Sequence, residues 1–423
     1  MKITVRDDTR YHQLIKGLDL MAEHRRRHPT TESDAMYYRL LADYFRNALN
    51  AGEAGKMVVA NTVMTPSELF YALDMVPLHL EGLAVISVPV LKDSDHMFSL
   101  AKSFGLPPEV CSAHRTQIGM SLLGALPADV VVTGHNICDG SYKSGDLLRH
   151  LYDIPGFVVD RPYRYSDADA QYYAGELEEL VQFLEGVSGH KMDWGRLAQS
   201  MECSRRMMEL HQEIYRLRRS VPCPSPNRLG TQLLFLGWLY MGTPQGVEFF
   251  ETVLAELQER QARGQGYVPQ ERFRLLTIFP PPGHKMKLLD WMEREHGAVM
   301  VADPYCSHWG QFEWDDSRPL VTLARKWMAS PLNRQMHGPA ELGWLPDTVE
   351  DALAYKVQGA IYWAHIGCAQ GCALIRIIRD ALREKAGIPT LVLDIDVLDP
   401  SFVSEEELKD KLEGFFERLE EEL

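Results

Sequence analysis

The sequence is poor in the features that mark membrane proteins and nucleic-acid-binding proteins. No stretch approaches the ~20 consecutive apolar residues that a membrane-spanning helix needs, although 45% of the residues are hydrophobic. Basic residues are outnumbered, with 44 Lys and Arg against 59 Asp and Glu and a formal net charge of −15. Because an acidic chain repels a phosphate backbone, we expect neither a nucleic acid nor a membrane as partner.

An export signal is also missing. The opening segment MKITVRDDTRYHQLIKG contains neither an apolar core nor a small-residue cleavage site. A secretory signal peptide has both. We therefore expect the protein to be cytoplasmic.

Cysteine is scarce and scattered. An odd number of cysteines, seven in all, argues against a disulfide framework and for free thiols or metal ligation in a reducing compartment. A zinc ribbon would need paired C-x-x-C spacings, whereas the nearest pair here has the i, i+4 spacing of a helix. The cysteines are Cys111, Cys138, Cys203, Cys223, Cys306, Cys368 and Cys372.

Motifs of several common enzyme folds are absent. The sequence has no G-x-S-x-G elbow, no P-loop and no G-x-G-x-x-G after a predicted strand. An α/β hydrolase or transferase without a metal cluster is therefore an alternative that no motif supports. At 423 residues, the chain is long enough for two or three domains.

Short apolar runs alternate with helical patterns in two parts of the chain. Such runs, bounded by Gly, Pro or Asp, are typical of buried parallel strands with crossover helices. We predict an α/β fold with two similar doubly wound parallel-sheet lobes and an added helical region. The predicted strands lie in MVVANTV, VPLHLE, ADVVVTGH, GFVVD, RLLTIFPPPG, GAVMVADPY, GAIYWAHIG and TLVLDIDVLD. The predicted segments are a helical N-terminal arm (1–50), a first lobe (51–166), a helical segment (167–270) and a second lobe with a C-terminal helix (271–423).

Two helix starts carry the spacing of a capping box, in which an N-cap hydroxyl and an N3 carboxylate exchange hydrogen bonds with the backbone. The first is Thr65-Pro66 with Glu68, and the second is Ser404 with Glu407. We predict that a helix begins at each.

The two lobes follow one plan. Strand 129–135 leads to Cys138, and strand 360–366 leads to Cys368; each is followed by a helix, an Ile-Pro pair and a strand ending in Asp. Ligands of doubly wound sheets bind outside the carboxyl ends of the strands. Both cysteines are therefore predicted to lie at a binding edge.

The position of these thiols bears on their chemistry. A lone cysteine is usually a small buried hydrophobe, but a helix N-terminus after a strand favours a thiolate. Cys111 precedes a further helical stretch, so we expect a helix N-terminus to favour its thiolate as well. Three thiolates from separate loops suit a [4Fe–4S] cluster better than zinc, and they leave one iron open for a substrate oxygen.

The motifs CSAHR, NICDG followed by Lys143, and HIGC resemble the 2-hydroxyacyl-CoA dehydratase and benzoyl-CoA reductase family, in particular the D-component subunits of the dehydratases. The resemblance extends from about residue 50 to the C-terminus. It implies a [4Fe–4S] cluster held by Cys111, Cys138 and Cys368. It also implies a homologous second dehydratase subunit, an ATP-dependent iron–sulfur activator protein and an acyl-CoA substrate.

The implied reaction is that of a hydro-lyase. It removes water from an (R)-2-hydroxyacyl-CoA to give the 2-enoyl-CoA through a ketyl radical. Thr62 and Glu81 are the candidate catalytic residues, and Glu81 could be a cluster ligand, a base or a solvated loop carboxylate. His114 and Arg115 could stabilise the charge of the cluster or solvate their helix. The alternatives are a benzoyl-CoA reductase-type subunit and an electron-relay subunit that never contacts substrate. Cys306 is the alternative cluster ligand.

Overall fold

The computed structural model of the chain describes residues 2–3, 5–28, 30–134, 138–336 and 338–422. The chain folds into two units, each assembled from three separate segments. The first unit comprises Met1–Met208, Phe235–Thr252 and Gln311–Ala329, and the second comprises Glu209–Leu234, Val253–Gly310 and Ser330–Leu423. The division of the sequence at residues 50, 166 and 270 stays a prediction.

The first unit is built on a parallel sheet with the strand order β2-β1-β3-β4. Its strands are β1 (Val58–Asn61), β2 (Val76–His79), β3 (Val130–Thr133) and β4 (Gly156–Val158). The helices of its first segment are α1 (Thr9–Arg27), α2 (Glu32–Leu49), α3 (Ser67–Ala72), α4 (Leu80–Leu91), α5 (Ser94–Phe104), α6 (Ser112–Leu122), α7 (Asp139–Tyr152) and α8 (Asp167–Ser188).

Three long helices follow in the sequence and contribute residues to both units. They are α9 (Trp194–Arg218), α10 (Leu229–Tyr240) and α11 (Pro244–Ala262).

The second unit contains a parallel sheet with the equivalent order β6-β5-β7-β8. Its strands are β5 (Phe273–Ile278), β6 (Ala298–Ala302), β7 (Gly359–His365) and β8 (Thr390–Ile395). The remaining helices are α12 (Lys287–His296), α13 (Pro304–Ser307), α14 (Pro319–Ala329), α15 (Pro331–Met336), α16 (Trp344–Ala354), α17 (Ala369–Ala381) and α18 (Glu405–Glu422), of which α14 belongs to the first unit. Short 3-10 turns cover Gly283–Lys285 and Ala340–Leu342, and a π-helical turn covers Leu382–Ala386.

The predicted fold class is confirmed, since seven of the eight apolar runs contain one whole strand, the eighth contains all of β5 except Phe273, and both sheets are parallel. The central strands β1, β3, β5 and β7 are buried along their whole length. Parallel strands covered on both faces lose the apolar-polar alternation of a half-exposed sheet. That burial explains why continuous apolar runs identified them.

The capping box predicted at Thr65 is wrong, although a helix does begin nearby. Pro66 occupies the N-cap of α3 and makes no side-chain capping bond. The Thr65 hydroxyl instead donates to the Thr62 carbonyl oxygen at 2.8 Å. At the second predicted start, Ser404 Oγ does accept the Glu407 N–H, at 3.0 Å.

Within the described part of the chain, no helix combines the length and the apolar content that crossing a membrane requires.

Candidate functional site

Cys138 stands between β3 and α7. It occupies the N-cap of α7, and its Sγ accepts a hydrogen bond from the Ser141 backbone N–H at 3.4 Å. The thiol therefore takes the place that a serine or aspartate oxygen usually has at a helix start.

Cys368 has the same arrangement in the second unit. It occupies the N-cap of α17, after β7, and its Sγ accepts from the Gly371 N–H at 3.4 Å. Because β3 and β7 hold the same position in their sheets, the repeat predicted from the sequence extends to the hydrogen bonds of the two sulfur atoms.

Cys111 occupies the N-cap of α6. His114, in the first turn of that helix, is buried, and its Nε2 lies 3.5 Å from Cys138 Sγ. A β-carbon on Gly140 would collide with the His114 ring, so the first turns of α6 and α7 are in close contact. This contact brings the helix ends that carry Cys111 and Cys138 to one edge of the first unit.

Glu81 lies in the first turn of α4, directly after β2, and its side chain is buried. Its Oε2 accepts from the Val63 N–H at 3.1 Å, and its Oε1 accepts from the Ser141 hydroxyl at 2.9 Å. Burial raises the pKa of the Glu81 carboxyl to about 7, against these hydrogen bonds. Ser141 thus contacts the carboxylate with its hydroxyl and the Cys138 sulfur with its amide.

Thr62 is fully buried in the loop after β1. Its Oγ1 accepts from the Gly134 N–H at 3.0 Å. This bond ties the loop after β1 to the loop after β3, which gives Thr62 a bracing position; a direct catalytic role for it stays a prediction.

The electrostatics of Cys138 combine two opposing effects. Burial raises the pKa of its thiol, as do the nearby carboxylates of Glu81 and Asp139, and together they outweigh the N–H groups of Ser141 and Gly140, which lower it as expected at a helix N-terminus. A bound metal deprotonates a coordinating thiol outright. The Cys138 environment can therefore stabilise a metal-bound thiolate but does not by itself produce a free one.

The other cysteines differ in setting. Cys306 is buried within α13, whose N-cap is Asp303, and burial raises the pKa of its thiol far above the usual value. Cys372 is half-buried and donates to the His365 carbonyl oxygen at 3.3 Å. Cys223 is buried, whereas Cys203 is half-buried and lines a cavity of about 450 Å³ in the first unit.

Part of the motif HNICDG cannot be placed, since His135, Asn136 and Ile137 lie outside the described residues. Among the residues that are described, no three His, Cys, Asp or Glu side chains are gathered to hold a single metal ion.

A family model described as the D-component of 2-hydroxyglutaryl-CoA dehydratase matches residues 62–419. The chain belongs to this family. The match begins directly after β1, includes the other seven strands and all three predicted cysteine ligands, and confirms the resemblance inferred from the short motifs.

Relatives of the chain include dehydratase and reductase subunits. It is 24% identical to a benzoyl-CoA reductase subunit of Thauera aromatica over 90% of the chain and 93% of that protein. It is 25% identical to the (R)-2-hydroxyisocaproyl-CoA dehydratase alpha subunit of Clostridioides difficile over 90% of the chain and 95% of that protein. It is 20% identical to the lactoyl-CoA dehydratase alpha subunit of Anaerotignum propionicum over 91% of the chain and 95% of that protein. Family and relatives together support a subunit of the 2-hydroxyacyl-CoA dehydratase or benzoyl-CoA reductase type.

One residue of the candidate site, Ser141, has no functional motif of its own in the sequence. Ser141 joins Glu81 to the turn that Cys138 caps, and it stands three residues after the cysteine, at the position whose backbone N–H an N-cap group accepts. Treating Cys138 as an N-cap in the sequence CDGS would have identified the Ser141 amide. The contact of its hydroxyl with Glu81 is 60 residues away in sequence and leaves no local signal.

Proposed function

We propose that this chain is the iron–sulfur subunit of an enzyme that removes water from an (R)-2-hydroxyacyl-CoA to give the 2-enoyl-CoA. The observation that carries the proposal is the pair of thiols at equivalent helix N-caps, each receiving one backbone N–H at 3.4 Å. Hydrogen bonds to sulfur and helix N-termini both stabilise anionic cluster ligands.

The residues present fit a [4Fe–4S] cluster by their donor chemistry. Cys111, Cys138 and Cys368 would hold it, since all three occupy helix N-caps. When bound, such a cluster would supply one low-potential electron to the thioester carbonyl, giving a substrate ketyl radical that returns the electron after hydroxide and a proton have left, and would offer an open iron as a Lewis acid. A homologous second subunit and an ATP-dependent activator would complete the system.

Glu81 is the proposed proton acceptor for the substrate carbon that loses hydrogen. Its pKa of about 7, raised by burial, suits a general base that works near neutral pH. Ser141 orients the carboxylate through Oε1, and the Val63 N–H orients it through Oε2. Thr62 would act indirectly, by holding the loop that carries Val63 in place.

The proposed reaction is tested with the anaerobically prepared complex of this chain, its homologous partner and the activator, supplied with ATP. We expect a 2-hydroxyacyl-CoA to be converted to the 2-enoyl-CoA, identified by mass spectrometry of the product. Reduction of the ring of benzoyl-CoA would show a reductase instead, the alternative that the relative from Thauera aromatica favours.

Removal of the Glu81 carboxylate tests its role. Glu81→Gln keeps the size of the side chain and an oxygen that can accept a hydrogen bond but removes the base, so we expect kcat to fall by about 10²–10⁴-fold. Glu109→Gln is the matched control, because Glu109 is exposed and lies two residues before Cys111; it should retain activity. Iron content is measured for both variants. Full activity of Glu81→Gln with its iron retained would contradict the proposed role.

A further inference from the structure

A small enclosed chamber lies at the carboxyl ends of β5 and β6, within the second unit. Its volume is about 10 Å³. A cavity of about this volume is the smallest that holds one water molecule. The lining includes Arg218 from α9, Gly230 from α10, and Asp303, which directly follows β6. None of these residues belongs to the site proposed above.

The chamber contains hydrogen-bonding atoms that have no partner among the described residues. Arg218 is 1% exposed, and its Nη2 donates to the Met300 carbonyl oxygen at 2.6 Å. Its Nε and Nη1 lack partners in the described part of the chain. The hydroxyl of the buried Tyr215 interacts with the Cys306 thiol, which leaves the lone pairs of that hydroxyl available as acceptors. Buried donors without acceptors are strongly destabilising, and native proteins satisfy most of them with protein groups or ordered water.

Gly230 creates the space into which these atoms point. A β-carbon built on Gly230 would lie 3.2 Å from Asp303 Oδ2, 3.7 Å from Arg218 Nη1 and 3.8 Å from Tyr215 Oη. A guanidinium, a carboxyl group and a phenol therefore surround one point.

We propose that the second unit binds one internal water molecule in this chamber, held between Arg218, Tyr215 and Asp303. The water accepts a hydrogen bond from Arg218 Nη1 and donates one to Asp303 Oδ2, and the Tyr215 hydroxyl supplies the third contact. Buried waters typically make about three hydrogen bonds. The site is thus a water-mediated link between a buried guanidinium and a buried carboxyl group.

Other occupants fit the chamber less well. The Arg218 guanidinium repels a metal cation, and the Asp303 carboxylate repels an anion. An organic ligand exceeds the volume. Water is the species that can accept from one charged group and donate to the other. Burial also raises the pKa of Asp303 to about 6, so the carboxyl group can contact the water in either protonation state.

The water site supports the edge of the sheet that carries Cys368. Asp303 begins the turn that contains Tyr305, whose ring centroid lies 5.3 Å from that of Phe279. Phe279 in turn packs against Gly371, since a β-carbon on Gly371 would collide with its ring. Gly371 donates the N–H that Cys368 Sγ accepts. This inference does not depend on the proposed reaction.

The test combines a direct and an energetic measurement on the full chain. A high-resolution crystal structure should show one water peak in the chamber. Gly230→Ala should displace this water and lower the thermal unfolding midpoint relative to Gly237→Ala by roughly 2–8 °C. Gly237 lies in the interior of the same helix and has nothing within 4 Å of its added β-carbon, so Gly237→Ala displaces nothing and reports the effect of the added methyl group on the helix alone.

Three results would overturn the proposal. The first is an empty chamber in the wild-type map with Arg218 and Asp303 in direct contact. The second is an anomalous peak there after a bromide soak, which would identify an anion site. The third is equal stability of Gly230→Ala and Gly237→Ala. If Gly230→Ala does not fold, Asp303→Asn, which keeps the volume and an acceptor oxygen, should still show the water peak; its absence would count against the proposal.

Discussion

Replacing Cys138 or Cys368 with alanine should deprive the anaerobically reconstituted protein of most of its iron and sulfide. Each thiolate is one of the three proposed protein ligands, and a cluster held by only two thiolates dissociates more easily from the protein. In Cys138→Ala, the Ser141 N–H and His114 also lose the sulfur that they contact. Cys111→Ala should have the same effect on iron content. The measurement is iron and sulfide per chain, with circular dichroism to confirm that each variant is folded.

The matched control is Cys203→Ala. Cys203 is half-buried like the proposed ligands, but it lies within α9 and not at a helix N-cap, so its loss should leave the iron content unchanged. Cys306→Ala tests whether Cys306, the alternative ligand, holds the cluster; we expect this variant to retain its iron as well. Wild-type iron content in folded Cys138→Ala and Cys368→Ala would refute the ligand assignment, as would an iron-free wild-type protein after careful reconstitution.

Replacing Lys326 with methionine should lower the free energy of unfolding by about 3–5 kcal/mol, the range for breaking a buried ion pair. Lys326 on α14 and Glu68 on α3 form an ion pair in the first unit, and both side chains are fully buried. Glu68 Oε1 also accepts from the Ser204 hydroxyl at 2.5 Å, while its Oε2 has no partner within the described residues. Lys326→Met would leave the Glu68 charge in a site that water does not reach. Urea denaturation measures the loss.

The double variant Glu68→Gln/Lys326→Met should recover much of this stability, because it removes both charges together. Lys411→Met is the control, since Lys411 and Glu407 form an exposed pair on α18 at 2.7 Å. Such exposed pairs contribute about 0.3–0.5 kcal/mol. If Lys326→Met were as stable as the wild type, the pair would have no net stabilising role.

The fold was accessible from the sequence because its signal is local. The run at 57–63 contains β1, and the run at 360–366 contains most of β7, since a buried parallel strand is apolar throughout. At Thr65 the residue types fit a capping box, but the hydroxyl donates to the Thr62 carbonyl oxygen and caps no N–H of α3. Glu68, the other half of the predicted box, is used by Lys326, which is 258 residues away, and no local pattern can indicate that contact.

The candidate site was partly accessible for the same reason. Cys138 and Cys368 were found because each stands between a strand and a helix, a position that the sequence displays. The link from Glu81 through Ser141 to Cys138 depends on how β2 and β3 are placed in the sheet. The chamber around Gly230 depends on three separate segments of the chain, so only the folded structure reveals it.

The sulfur contacts of Cys138 and Cys368 have a consequence for how a cofactor is installed. Each thiol is oriented by an amide only three residues further along the chain, so its direction is fixed as soon as the adjoining helix forms. Zinc fingers, by contrast, stay unfolded until metal arrives. Here maturation would be the loading of a preorganised apoprotein, and the conformational entropy of aiming these two ligands is already lost during folding, before any inorganic component is delivered.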